Sequence, residues 1–564
     1  MKTQYLKIVL DSMPRVLSLL DRNPLSNTYG CFDRSYWWHK KTDYAVSTAQ
    51  MSVKTLAYLY NFNFEGNIYF KNENVLNWIK ASLRFTLKIQ HNDGSFDEWY
   101  PNERGWGGPT GYVAGAVAEA ILVFKNTQSI ALLDELMPNI LSALSKAAKH
   151  LLKRDEGDIL ANHYAISIVA LVQINHVLPN LNLQTDIDQW LEQFYNLFTN
   201  EGWALEYDGC DLGYSLGTLN FLADIFLIYP SEEILKKISK LFAYLNYFVY
   251  PDGTWGGNIS SRHTTHRYYF ALEFWSKHSQ SASDLLIHMR NNLINSNDVP
   301  PLQQEDHYIH YRLADYLKAA LYFNDKIKET SITPFYQSPT FSEIYFENSG
   351  HYIKKFDSFI LWIALKKGGA IRVYNLNTQK SIIIHNGLML CDFNNQVYTS
   401  FAQSESVVSR KLKPSLITKN LISCENVLHK VFIKKFNPLT FILFRLVLLG
   451  IKTSFLSFHF KKIIRFLMIT GDKSVNSFFK RTVRIVDNQL IINDSFKISK
   501  KIQTVFAGGD FYVRYVPQAN YFSTDDLQYR PLEVKIKSPT SGKTYAHITT
   551  VVNLQNSEVN ICAE

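Results

Sequence analysis

Cysteine is scarce and unpatterned in this chain. Its five residues, Cys31, Cys210, Cys391, Cys424 and Cys562, are odd in number, far apart and never in CxxC spacing. That argues against a disulfide framework and against a zinc site, and it suits a reducing compartment. No nucleotide or flavin fingerprint is present, and no histidine–cysteine–carboxylate set has metal-ligand spacing, so neither a cofactor nor a metal is expected. The opening "MKTQYLKIVLDSMPRVLSLL" lacks an export signal, because Asp11 and Pro14 interrupt the apolar residues before an h-region can form. A cytoplasmic location is therefore expected. Acid is missing altogether between Glu425 and Asp472, where Lys430, Lys434, Lys435, Arg445, Lys452, Lys461, Lys462 and Arg465 supply nearly all of the net charge of +9. The remainder of the chain is close to neutral, which excludes a generally nucleic-acid-binding protein.

Apolar residues make up 46% of the 564 positions, enough for more than one core, and aromatics reach 14%. Such rings serve either as core or as flat faces for sugars. Three- and four-residue apolar spacing in "VLNWIKASLRFTLKIQ", "TGYVAGAVAEAILVF", "HYAISIVALVQINHVL" and "LGYSLGTLNFLADIFLIY" predicts helix after helix. Glycine-and-aromatic turns recur between them: "NDGSFDEWYP", "NEGWALEYDG" and "YPDGTWGG". Repeated helical hairpins with similar turns predict an α/α toroid, an incomplete barrel over residues 1–330, with the turns gathered at one rim. From 331 to 564 short β-rich runs such as "RTVRIVDNQLIINDSFKI", whose "VDNQLIIND" reads as a hairpin, predict an antiparallel β-sandwich. The fold class is thus α+β multidomain, with a basic amphipathic helical insertion at about 427–470. That insertion is broken near Pro438 and near Gly450, and neither half is long enough to span a bilayer. It is expected either to lie on a membrane surface through Lys434, Lys435, Lys461, Lys462 and Arg465, or to pack against the toroid with its lysines solvated.

Three polar constellations fall at the turns of the helical half. Asn162, His163 and Tyr164 open an apolar helix; Glu206, Tyr207, Asp208, Asp211 and Tyr214 form the second; Asn258, Arg262, His263, His266 and Arg267 form the third. Taken singly, each has a plain structural role: Asn162 suits an N-cap, and His163 and Tyr214 suit buried polar positions satisfied by backbone. "CFDRSYWWHKKTDY" offers Arg34, Trp37, Trp38 and His39 as a sugar-binding wall, or else as a segment strapped across the toroid.

An Asn–His pair opening one toroid helix, followed by an acidic Gly-rich turn ending in Tyr on the next hairpin, resembles the heparinase II/III-like polysaccharide lyases and the related uronyl C5-epimerases. His163 and Tyr214 are 51 residues apart (214 − 163), about one hairpin. The resemblance implies a toroid-then-sandwich chain acting on an anionic polysaccharide or lipid-linked glycan. Abstraction of the C5 proton of a uronic acid would be followed by β-elimination or epimerisation, without cofactor. It implies His163 and Tyr214 as catalytic groups, with Asn162 and His163 gripping the sugar carboxylate and a cationic neighbour (His163, Arg262 or His266) activating the Tyr214 phenol. It also implies a sandwich histidine within an HxHxD-like run. Here the run reads "HYIKKFDSF", so His351 fills the first position while Ile353 and Lys355 replace the others; His385 and His266 are rivals for that base. Glu206, Arg262, His263, His266, Arg34 and Trp106 are the expected substrate-binding residues. A bacterial surface-polysaccharide setting follows from the absent export signal. Two other classes fit the same toroid: a glycoside hydrolase drawing two carboxylates from Asp97, Glu98, Glu206, Asp208 and Asp211, and a non-catalytic glycan-binding or assembly protein.

Overall fold

In the computed structural model the described residues are 1–153, 160–206, 209–295, 298, 301–327, 332–402, 416–418, 421–431, 437–467, 473–508, 532–536 and 543–563. The helical half runs α1 (Lys2–Leu19), α2 (Arg34–Trp37), α3 (Ser52–Asn61), α4 (Glu73–Ile89), α5 (Gly107–Asn126), α6 (Met137–Leu151), α7 (Ala161–Val177), α8 (Gln184–Tyr195), α9 (Leu212–Ile228), α10 (Glu232–Leu245), α11 (Tyr269–Trp275), α12 (Gln280–Ile294) and α13 (Asp306–Leu321).

Two kinds of sequence make two kinds of helix here. α5, α7 and α9 are apolar nearly all round and bury almost every residue, whereas α4 and α10 bury one stripe, Val75–Ile79–Leu83 and Ile234–Ile238–Leu241–Leu245. The first kind forms an inner ring in which α3, α5, α7, α9, α11 and α13 each pack on the next and α13 returns to α3; the second kind forms the outer ring. Because an outer helix separates consecutive inner ones, all inner helices point the same way and their N-termini share one rim. α5 has the length and composition of a membrane span, but it lies buried inside this ring. The repeated turns are built alike: Gly94 (φ 91°) and Gly202 (φ 101°) press on the backbone of the outer helices α6 and α10, where a Cβ would come within 2.2 Å of the Lys146 oxygen and 2.7 Å of the Lys240 carbonyl.

The β half contains three antiparallel sheets. The first is a meander of β1 (Glu343–Phe346), β2 (His351–Phe356), β3 (Phe359–Ala364), β4 (Ala370–Asn375) and β5 (Lys380–His385). The second holds β6 (Leu388–Asp392), β7 (Val397–Thr399), β10 (His429–Lys430), β13 (Ile502–Ala507) and β14 (Leu532–Val534); the third holds β8 (Leu416–Ile417), β9 (Leu421–Asn426), β11 (Ser477–Val486), β12 (Gln489–Ile498), β15 (Thr544–Asn553) and β16 (Val559–Ala563). The β11–β12 hairpin turns at Asp487 and Asn488, both at positive φ, the geometry an Asp-Asn pair supplies for a two-residue turn. One face of the third sheet packs on the first and second sheets through separate apolar clusters.

The other face of the first sheet is not solvated. Ile353, Ile360, Trp362 and Tyr374 join the toroid core. Trp362 Nε1 donates to the Tyr247 carbonyl at 2.8 Å, and its ring meets Tyr250 edge-on at 5.1 Å. The helical insertion forms two helices, Pro438–Gly450 and Ser454–Arg465, broken where proline and glycine predict, the first opened by an Asn437–Thr440 capping box. Lys434 and Lys435 lie outside the described residues.

Candidate active site at the toroid rim

The rim is assembled from the heads of α5, α7, α9 and α13, the strand-like segment before α11, and the turn spanning 91–106. His163 sits in the first turn of α7. Its ring meets Trp106 edge-on at 5.9 Å and Tyr112 at 6.5 Å, and it fits because the facing position of α5 is Gly108, where a Cβ would lie 2.7 Å from His163 Nδ1. Tyr214 heads α9, whose N-cap Asp211 accepts from Tyr214 N at 3.0 Å. Asp211 also accepts from Arg262 N at 2.9 Å and from the Thr264 hydroxyl, so one buried carboxylate ties the Tyr214 turn to the His263–His266 segment. The Tyr214 ring meets His266 edge-on at 6.0 Å, and His266 meets Tyr268 at 6.4 Å.

Tyr112 joins the two halves of the cluster. It meets His163 edge-on and packs edge-on against Tyr311 at 5.0 Å. Tyr311 and His307 both donate to Glu98, His307 Nε2 at 2.9 Å, and the exposed Trp99 stacks on His307 at 4.9 Å and 15°. His163, Tyr112, Tyr214, His266, Tyr268, His307, Tyr308 and Tyr311 all keep part of their surface accessible. The result is a partly accessible patch of imidazoles and phenols, with the exposed Trp99 ring at its edge.

Its charges sit behind the rings. Burial pushes His163 down to about 4, with Glu98 opposing and Arg465 adding to the effect, and pushes His266 down to about 3, assisted by Arg312. Both imidazoles are therefore neutral at pH 7, which corrects the expectation that either supplies a positive charge to Tyr214. The cations are Arg312, whose guanidinium lies 4.3 Å over the Tyr268 ring, Lys461, whose ammonium lies 4.5 Å over Trp106, and Arg465. The convergent helix N-termini add partial positive charge.

Other expected site residues are placed differently. Asn162 is not an N-cap, because α7 begins at Ala161; its backbone N and side-chain Nδ2 donate to Glu206 at 2.7 and 2.6 Å, and both residues are buried. Glu206 therefore anchors the head of α7 from a buried position. Burial pushes its carboxyl up to about 8, the Asn162 hydrogen bonds opposing. Tyr164 faces away from the rim, stacked on Trp190 at 4.8 Å. His351, expected as a catalytic base, lies in the toroid–sheet interface with Nε2 2.9 Å from the Ile259 carbonyl oxygen and Nδ1 2.8 Å from the Tyr244 hydroxyl. A carbonyl only accepts, so Nε2 carries the proton, Nδ1 accepts from Tyr244, and neither nitrogen is left for substrate. His385, its rival, is buried in the sandwich 3.1 Å from Arg481 Nη2.

Arg262 is buried, and its backbone serves Asp211. His263 meets Phe401 edge-on at 6.2 Å, held well below the ordinary histidine range by burial and by Lys367 and Arg372. Arg34 sits on α2, capped by Asp33, in a segment whose Trp37 Nε1 donates to the Leu19 carbonyl at 2.7 Å. That segment straps the toroid, and Tyr44 at its end donates to the Glu98 carbonyl at 3.4 Å. Trp106 is a wall beside His163, its Nε1 donating to Tyr100 Oη at 2.8 Å. Tyr207 and Asp208 lie outside the described residues.

The carboxylates that a hydrolase would need are mostly engaged in holding the chain: Asp97 accepts from Asn102 N and Glu103 N at 3.0 and 2.7 Å, and Glu206 and Asp211 cap helices. Glu98 alone among the described ones faces the ring cluster. The contribution of α13 was not anticipated, although "DHYIHYRL" carries the same signal as "ANHYAISI", polar rings at the head of an apolar helix. Among the described residues no group of three or more His, Cys, Asp or Glu could hold a metal ion.

No family model matches the sequence, and no curated protein matches it. Solved structures do match. The chondroitin AC lyase of Streptomyces coelicolor A3, determined in complex with chondroitin sulphate, superposes with a TM-score of 0.54 at 9% identity, over 90% of this chain and 67% of that one. A heparinase III aligns over 98% of this chain and 94% of its own at 10% identity, with a TM-score of 0.43. The chain shares the toroid-plus-sandwich fold of that chondroitin AC lyase.

Proposed function

We propose that the chain removes the C5 proton of a uronic acid residue in an anionic polysaccharide. The observation that carries the reading is that the heads of α7 and α9, from neighbouring hairpins, place His163 against Tyr112 and Tyr214 against His266 at one accessible rim. An unprotonated imidazole can accept the C5 proton. The electron pair left behind spreads onto the sugar carboxylate, and the Lys461, Arg465 and Arg312 charges together with the helix N-termini favour the resulting dianion. Tyr214, as a neutral phenol, can return a proton. Given to the C4 oxygen as the C4–O bond breaks, it completes β-elimination; given to the opposite face of C5, it completes epimerisation.

The setting we propose is bacterial surface-polysaccharide metabolism at the cytoplasmic side of a membrane, with a polymer or lipid-linked glycan as substrate. All five cysteines are free and three are buried, which suits a reducing compartment.

The test is incubation with a panel of uronate polymers in heavy water, followed by mass and ultraviolet analysis. Unsaturated ends identify elimination, and deuterium without cleavage identifies epimerisation. Tyr214→Phe and His163→Ala should each lower the rate by on the order of 10²-fold or more. Full activity in both variants would place the chemistry elsewhere.

A further inference from the structure

The two insertion helices are amphipathic the wrong way round for a soluble protein. In Ser454–Arg465 two of the three cations point inward, Lys461 at 1% exposed and Arg465 at 8%, while Phe455 is 68% exposed and the adjoining Phe466 60%. Pro438–Gly450 is apolar nearly all round yet touches the body along one stripe, with Leu448 buried and Phe444 half-buried; Leu439, Phe441, Ile442, Leu443, Leu446, Val447 and Leu449 are exposed. Helices of this composition are ordinarily enclosed on all sides. The hairpin is nevertheless well seated on the rim: Asn102 Nδ2 donates to the Leu448 carbonyl at 3.0 Å, Ser457 Oγ donates to the Asn102 carbonyl at 3.0 Å, and Arg445 pairs with Asp43.

We propose that the outer face of this hairpin seats the protein in the interfacial layer of an anionic lipid bilayer. The first helix, 13 residues, is about 20 Å long, too short to cross a hydrocarbon core of about 30 Å but suited to lying along its surface. Lys452, between the two helices, and Lys462, on the second, are exposed, and the run from Glu425 to Asp472 holds no acid between its ends. That charge is complementary to acidic headgroups, and it opposes a second copy of this chain, which would bring two basic hairpins together. The inner face of the same hairpin supplies Lys461 over Trp106, and the Arg465 charge that lowers the His163 pKa. Docking would therefore put the rim next to the headgroups, where a membrane-tethered glycan is held. The surface is independent of the catalytic reading, since its test uses no substrate.

Full-length protein is floated with vesicles of phosphatidylcholine alone and with vesicles also containing phosphatidylglycerol. Binding to the acidic vesicles is expected to weaken with added salt. Leu446→Glu and Ile463→Glu should each lower the bound fraction at least tenfold, and Lys462→Glu, which changes two charges, should lower affinity by on the order of tenfold, all with unaltered thermal unfolding. No binding to acidic vesicles by a monodisperse protein would overturn the proposal. So would a dimer in solution that Leu446→Glu dissolves, or flotation that survives both apolar-to-glutamate changes.

Discussion

Gly108→Ala separates the placement of His163 from the stability of the fold. Gly108 is the second residue of α5 and its φ is not positive, so alanine suits the backbone and favours the helix by about 0.5–1 kcal/mol. The added Cβ would lie 2.7 Å from His163 Nδ1, 3.0 Å from Cε1 and 3.3 Å from Cγ, whereas ordinary contact begins at 3.4 Å, so the ring must retreat by about 0.7 Å (3.4 − 2.7). That retreat presses on Trp106 and Tyr112. Crowding of this kind costs about 1–3 kcal/mol, which leaves the net stability lower by roughly 2 kcal/mol or less. A misplacement near 1 Å at a reacting group costs on the order of 10²-fold in rate, so kcat/KM on a responsive uronate polymer should fall by about 10- to 100-fold. The assay pairs that rate with urea unfolding of the same preparation. Undiminished turnover by a protein of near-native stability would show that the position of the His163 ring is not used in catalysis.

Stability should fall in mild acid. His351 is fully enclosed and burial pushes it from 6.5 down to about 4. A depressed folded-state value means its contribution is present above pH 6.5 and is lost as pH falls through 4. The loss from this group reaches about 3 kcal/mol, and urea midpoints of His351→Gln should show a correspondingly shallower dependence between those limits. Asp211→Ala removes the cap of α9 and the tie to Arg262 N and Thr264; a loss of at least about 1–2 kcal/mol is expected, with a larger fall in activity than Asp211→Asn produces. Arg481 and Asp494 form a buried two-point ion pair with contacts at 2.7 and 2.6 Å, so Arg481→Met, which strands the carboxylate, should destabilise by about 3–5 kcal/mol, while Arg481→Met with Asp494→Leu should recover most of it.

The helices were legible because their signal is local. Periodicity marked α4, α5, α7 and α9, Pro438 and Gly450 marked the breaks of the insertion, and Asp487–Asn488 marked the turn of β11–β12. Of the three polar side chains at the head of α7 only His163 lies at the rim, while Asn162 and Tyr164 are buried, and the same reasoning applied to "DHYIHYRL" points to His307 and Tyr311. His351 misled because a histidine opening a strand looks the same whether it faces substrate or an interface; the carbonyl of Ile259 decides that, and it lies 92 positions away.

Residue spacing alone determined that this chain runs helix after helix and then turns to strands, because the pattern of water exclusion along each segment is written in that segment. Three matters waited for the folded chain. Burial by distant elements sets the neutral state of His163 and His266. Packing of the first sheet on the toroid removes His351 from the chemistry. The docking of one hairpin turns Lys461 and Arg465 inward and leaves Leu446 and Phe455 outside. Each depends on which surfaces meet, and a linear order of residues does not state that.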